Sequence, residues 1–291
     1  MRTSLTTLLT LMLTALLLCS CRPPDVSSII GMFERHSESM SQATQDFTPE
    51  EEYYLGRAVA ARIASQYSAL EDRTANNYLN QLGQALAMRA GRRALNGYHF
   101  LLLNTPEVNA FATPGGFIFV TTGMVSLVSG ESELAAVLAH EIAHVQNRDA
   151  IAAIQNARLT GALTSLGKDA ASRYAPSVPG SQYLGMFSGA VDDVISTLVT
   201  KGYSRGQEYA ADSAAKGLLS AAGYNPRALE SVLQAMSARV SSGSAGFGST
   251  HPSAEDRLKK LDASDTPVEK DAGVRASRFQ AAMGKYSRAA Q

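Results

Sequence analysis

The chain has 291 residues, 45% of them apolar and 18% charged, with 26 basic and 26 acidic side chains and a formal net charge of zero. That apolar content supports a substantial core and excludes a disordered chain, and the balanced charge lacks the basic excess that nucleic-acid binders carry. Both cysteines, Cys19 and Cys21, stand near the N-terminus, so the body holds no disulfide framework, thiolate zinc site or iron–sulfur cluster.

Met1-Arg2 supplies one positive charge, and Leu5 to Leu18 is apolar apart from scattered Thr. The run is too short for a membrane span and fits a secretory signal peptide over residues 1–20. It ends in Leu18-Cys19-Ser20-Cys21, which resembles a bacterial lipobox and makes Cys21 the candidate lipidation site. An ordinary signal peptide that leaves Cys21 as a free thiol is the competing reading. Residues 21–48, polar and opening on Arg22-Pro23-Pro24, read as a tether in which His36 has no evident role.

Thr48-Pro49-Glu50-Glu51 signals a helix start: a capping hydroxyl, Pro in the first turn, then acids at the positive end of the helix dipole. This helix is expected to run to about Tyr67, and a second from Thr74 to Met88. Phe100 to Leu103 and Phe117 to Thr121 read as strands, with His99 structural. From Glu133 the chain reads as helical and Ala-rich, with breaks at 176–180, 202–206, 223–226 and 241–249. The expected fold is α+β and mainly α-helical, with a small sheet that carries an edge strand. One folded domain is expected over 49–265 and a C-terminal tail over 266–291.

His140-Glu141-Ile142-Ala143-His144 lies inside the helical run Leu134 to Gln155. Residues four apart share a helix face, so both imidazoles can reach one ion while Glu141, beside them, can accept a proton from an attacking water. The apolar flank Leu134-Ala135-Ala136-Val137-Leu138-Ala139 marks a buried helix, where two imidazoles and a carboxylate without partners would cost several kcal/mol. One Zn2+ per chain removes that cost. A catalytic zinc takes three protein ligands, and no histidine follows the pentad closely. Glu208, in Gly206-Gln207-Glu208-Tyr209-Ala210-Ala211-Asp212, is the candidate third ligand. Asp212, one turn on, can orient a liganding histidine. The competing reading is a solvated acidic face, against which stand the small and apolar residues around the two acids.

Four segments in order, covering about residues 50–262, resemble family forty-eight of the zinc metallopeptidases, which includes the CAAX prenyl endopeptidases and HtpX. They are Asn109 to Gly123, Glu133 to His144, Ser204 to Asp212, and Ser249-Thr250-His251-Pro252-Ser253 with Arg257. The resemblance implies a zincin-type core of the gluzincin kind with Glu208 as the glutamate ligand. It implies a metalloendopeptidase acting on unfolded or misassembled envelope proteins, from a periplasm-facing position anchored in the outer membrane. Unfolded polypeptide, the membrane through the lipid, and envelope assembly machinery are then the partners. Within these segments, Asn109, Ala110, Phe111 and Ala112 are candidates to hold a peptide by backbone pairing; an ordinary hairpin is the alternative. His251 and Arg257 are candidates to support the oxyanion or anchor substrate, or else to hold the C-terminal helix in place. Between the ligand helices, 145–205 is too interrupted by charge to span a membrane, and 172–189 is a candidate lid. The rival function is a periplasmic chaperone or assembly module that keeps zinc for structure.

Overall fold

The computed structural model describes residues 46–156, 202–239, 251, 253–261 and 271–287. The signal segment, Cys21, the tether up to residue 45, Pro252 and the candidate lid 172–189 lie outside the described residues. Helix α1, Pro49–Gln66, starts where expected: the Thr48 hydroxyl accepts from the Glu51 amide while the Glu51 carboxylate accepts from the Thr48 amide, a reciprocal cap. Helix α2, Arg73–Ala87, is capped by Asp72.

Three strands follow: β1 (His99–Leu103), β2 (Ala110–Ala112) and β3 (Phe117–Thr121). Their order is β1-β3-β2, with β1 parallel and β2 antiparallel to β3. β2 is too short and alanine-rich for strand patterning to reveal it. Side chains alternate between faces. Phe100, Leu102, Ala110, Ala112, Ile118 and Val120 join the core shared with the central helices. Leu103, Phe111 and Phe119 point the other way, onto Val59 and Ile63 of α1 and Ile151 and Ile154. Gly56 lets α1 approach the 114–116 turn, since a Cβ there would sit 1.6 Å from the Pro114 carbonyl oxygen.

The two sheet edges differ. Amide side chains on one face of α2 cover β1: Asn76 accepts from the Leu102 amide at 2.9 Å, Asn80 donates to the Phe100 carbonyl at 2.7 Å, and Gln84 donates to the Tyr98 carbonyl at 2.5 Å. On β2, Thr121 donates to the Asn109 carbonyl and Thr113 to the Phe117 carbonyl. Antiparallel alternation then turns the amides and carbonyls of Ala110 and Ala112 away from β3. No strand among the described residues pairs on that side.

A short helix α3, Thr122–Leu127, leads to the central helix α4, Glu131–Asn147. Every residue from Leu134 to His144 is buried, because α4 packs against α2, β2, α5 (Arg205–Ala221) and α6 (Ala228–Arg239). The sequence reads as one uninterrupted helix to Gln155, but the structure breaks it. Arg148 takes a left-handed conformation, φ 58° and ψ 35°, held by Asp46 at 2.8 Å, Glu52 at 2.5 Å and the Phe47 carbonyl at 2.8 Å. The helix resumes over 149–156.

Helix α7 is Ala254–Leu258 and α8 is Ala272–Met283. The stretch expected as a tail thus carries a helix that buries Phe279, Ala282 and Met283 against the main core. Its basic side chains reach the first residue of α4. Glu131, 2% exposed, accepts from Tyr78 and Tyr224 at 2.8 Å each and from Arg278, while Arg275 stacks over the Tyr224 ring at 3.9 Å. Among the described residues, no helix is long and apolar enough to cross a membrane.

Candidate metal centre

The four buried residues His140, His144, Glu208 and His251 each offer a ligand atom within 4.8 Å of the others. Helix α4 presents both imidazoles on one face, and their Nε2 atoms lie 3.1 Å apart. Glu208 enters from the first turn of α5, whose start is fixed by a second reciprocal cap between Ser204 and Gln207. Its carboxylate oxygens stand 3.5 Å from His140 Nε2 and 3.5 Å from His144 Nε2. Ligands about 2.0–2.1 Å from a tetrahedral zinc are about 3.4 Å from one another, so this donor set fits the ion. The Glu208 Oε2 atom is buried with no hydrogen-bond partner among the described residues, as a ligand atom would be. Burial alone would raise the Glu208 carboxyl pKa, but His251 and Arg257 beside it hold it well below the usual range.

Behind the ligands stands a set of orienting acids. Asp212 Oδ1 lies 3.1 Å from His140 Nδ1 and accepts from Arg257 at 2.5 Å, while its Oδ2 accepts from Arg257 Nε at 2.9 Å. Asp149 Oδ2 lies 2.7 Å from His144 Nδ1, and Asp149 Oδ1 accepts from Gln207 Nε2 at 3.2 Å. Sequence reasoning missed Asp149. An acid five residues after His144 points elsewhere on an unbroken helix, and only the Arg148 turn brings it back. Nothing in the local composition marks that turn, since Gly is absent there.

Arg257 is 1% exposed and also lies 3.5 Å from Glu208, so it stands behind the ligands rather than at the mouth of a cleft. His251 turns inward as well: Nδ1 is 2.7 Å from Glu208 Oε1, which places it in the ligand cluster itself. Glu141, 1% exposed, has neither carboxylate oxygen hydrogen-bonded. Burial pushes its pKa up, and the Glu208 charge pushes the same way against the opposing pull of the two α4 histidines. Tyr203, missed in the sequence because it falls in a break between helices, stacks on the His144 ring at 4.4 Å between centroids and 28° between planes.

β2 packs along α4, so the outward amides and carbonyls of Ala110 and Ala112 flank the ligand helix. Phe111 sends its ring into the second core, 5.5 Å from Phe119. Asn109 is 1% exposed and donates to Glu107 at 3.1 Å. His99 lies on the exposed end of β1, stacked on Phe117 at 5.1 Å.

Two helical histidines, a glutamate from a second helix and an unpaired carboxylate beside them define a metallopeptidase of the HExxH class. The sequence profile of "Peptidase family M48" matches residues 73–265, and the chain belongs to that family. Among its relatives, the Beta-barrel assembly-enhancing protease of Escherichia coli K12 is 28% identical over 213 residues, 72% of this chain and 42% of the relative. A mitochondrial metalloendopeptidase of Schizosaccharomyces pombe is 32% identical over 165 residues, 55% of this chain and 44% of the relative. A Protease HtpX homolog of Ralstonia pickettii is 28% identical over 231 residues, 68% of this chain and 78% of the relative. The chain therefore spans less than half the length of the first two.

Proposed function

We propose that the chain is a zinc-dependent metalloendopeptidase that cleaves unfolded or misassembled proteins of the bacterial envelope. His140, His144 and Glu208 hold the ion, and Asp212 and Asp149 fix the ring orientation of the two histidines. A zinc ion held there polarises a peptide carbonyl and brings the pKa of water at the site to about 7. Glu141 takes the proton from the attacking water and passes it to the leaving amine. The substrate lies as an extended strand along β2, its backbone paired with Ala110 and Ala112, which selects unfolded chain rather than particular side chains. The observation that carries this reading is the set of three metal-donor groups with atoms 3.1–3.5 Å apart, next on the helix to a buried Glu141 with no hydrogen-bond partner among the described residues.

The name of the Escherichia coli relative supports a setting in envelope assembly. The apolar run Leu5 to Leu18 followed by Cys21 supports export and a lipid anchor; the periplasmic side of the outer membrane is the setting the family resemblance implies. Incorporation of labelled fatty acid, lost in Cys21→Ser, checks the anchor. For the chemistry, metal analysis of the purified chain should give close to one zinc, falling clearly in Glu208→Ala. Cleavage of an unfolded reporter protein should vanish in Glu141→Gln with zinc retained. A folded chain that takes up no zinc ends this reading.

One observation favours a second function. His251 makes the donor set four, and closed four-ligand sites are characteristic of structural zinc. On that reading the chain is an assembly module that rarely cuts. His251→Ala separates the two by zinc content and Tm: a catalytic centre with three other ligands keeps its zinc, whereas a structural one loses zinc and stability together.

A further inference from the structure

Three side-chain groups at the metal centre are buried without a hydrogen-bond partner among the described residues: Glu208 Oε2, both oxygens of Glu141, and the Tyr203 hydroxyl. Buried polar groups in folded proteins are almost always satisfied, so an orphan asks for a missing ligand. The first suits a cation and the second a water. The third is different in kind, because a phenol is a donor as well as an acceptor, and neither the ion nor the general base uses it.

The Tyr203 ring lies flat on His144, 4.4 Å away, and meets His251 edge-on at 6.4 Å. Ser204, the next residue, caps the helix that delivers Glu208. Tyr203 also lines a small cavity with Ala112, Thr113, Pro114, Gly115 and His144. The ring thus borders, beside a metal ligand, a cavity that the C-terminal end of β2 also lines, and on the peptidase reading a peptide paired on that strand would pass it.

We propose that the Tyr203 hydroxyl donates a hydrogen bond to the carbonyl oxygen of the peptide bond being cut, and is therefore a catalytic residue. The assignment rests on the peptidase reading above. As water adds to the carbonyl carbon, the C=O π pair moves onto that oxygen. The phenol keeps its own proton and stabilises the negative charge by hydrogen bonding alone. Collapse returns the pair to the carbon, and the C–N bond breaks, with Glu141 delivering the proton to the amine.

The test compares Tyr203→Phe with Tyr203→Ala in the full zinc-loaded chain. An unfolded reporter protein serves as substrate, and the calorimetric probe is a phosphinic peptide built on a cleavage site mapped in that reporter. Phe keeps the ring against His144, so zinc content and Tm should match wild type. The kcat should fall about 100-fold with KM little changed, the usual loss for one oxyanion donor. Kd for the tetrahedral phosphinic probe should rise by a comparable factor. Ala, which removes the stacking too, should additionally weaken zinc binding. A purely structural tyrosine would leave Phe equal to wild type in kcat and in probe affinity, and that result overturns the assignment. Should the zinc-loaded wild-type chain itself fail to cleave the reporter, the peptidase reading falls and the assignment with it. The two failures are therefore told apart by which protein shows them.

Discussion

Helix α4 carries two buried carboxylates, one at its first residue and one in its C-terminal half, and the two are treated in opposite ways. Glu131, at the first turn, is satisfied by two tyrosines and by Arg278. Burial would raise its pKa, but Arg278 and the two phenols more than offset this and hold the carboxyl below its usual value. Glu141, ten residues on, is as deeply buried and has no hydrogen-bond partner among the described residues. A charge clamped on all sides is built to stay; one left unmatched is poised to react. On the peptidase reading, one helix thus shows how fixing and catalysis would use the same side chain with different surroundings.

The sharpest way to break this contrast is Glu141→Gln. Cleavage is expected to fall about 1,000-fold or more, measured on an unfolded reporter, with zinc content unchanged because Glu141 is not among the donors. Asp149→Asn comes next. It tests whether the acid brought in by the Arg148 turn supports His144, and zinc affinity by competition with a chelator should weaken about 10–100-fold. At the other end, Glu131→Gln should leave zinc content unchanged and lower stability by about 2 kcal/mol in denaturant melts, the scale of hydrogen bonds to a charged group. The Glu131 carboxyl is depressed in the folded chain relative to its unfolded value near 4.5. Its contribution is therefore complete above that pH and is lost as pH falls through the folded value. Acid melts of Glu131→Gln should accordingly be flatter than wild type below about pH 4.5. The smallest change is Tyr78→Phe, which takes one donor from Glu131 and should cost about 1 kcal/mol.

Legibility in the sequence followed locality. The Thr48 cap, the two longer strands and the burial of α4 depend on neighbours a few residues apart, and they read directly. His140, Glu141 and His144 announce themselves because i, i+4 spacing on an apolar helix already implies a shared face. Glu208 and Asp212 repeat that logic. What the sequence hides depends on tertiary strain or distant partners. The Arg148 turn uses a non-glycine left-handed residue stabilised by Asp46 and Glu52, about a hundred residues earlier. Without it, neither Asp149 nor its link to Gln207 can be foreseen. β2 is only three residues long, and the inward turn of His251 and Arg257 depends on how α7 docks against α5. The C-terminal helix escaped notice because its anchors, Arg275 and Arg278, read as ordinary surface charge until Glu131 is seen beneath them.

The clamp on Glu131 also sets an order of events during synthesis. Arg278 follows Glu131 by 147 residues, and the ribosome adds on the order of 5–20 residues each second. For some seconds the first turn of the central helix has emerged while its basic partner has not yet been made. The four-donor cluster waits in the same way for His251, 43 residues beyond Glu208. The nascent chain therefore completes both the clamp and the donor cluster of α4 late, and the cluster is finished only after most of the polypeptide that surrounds it exists.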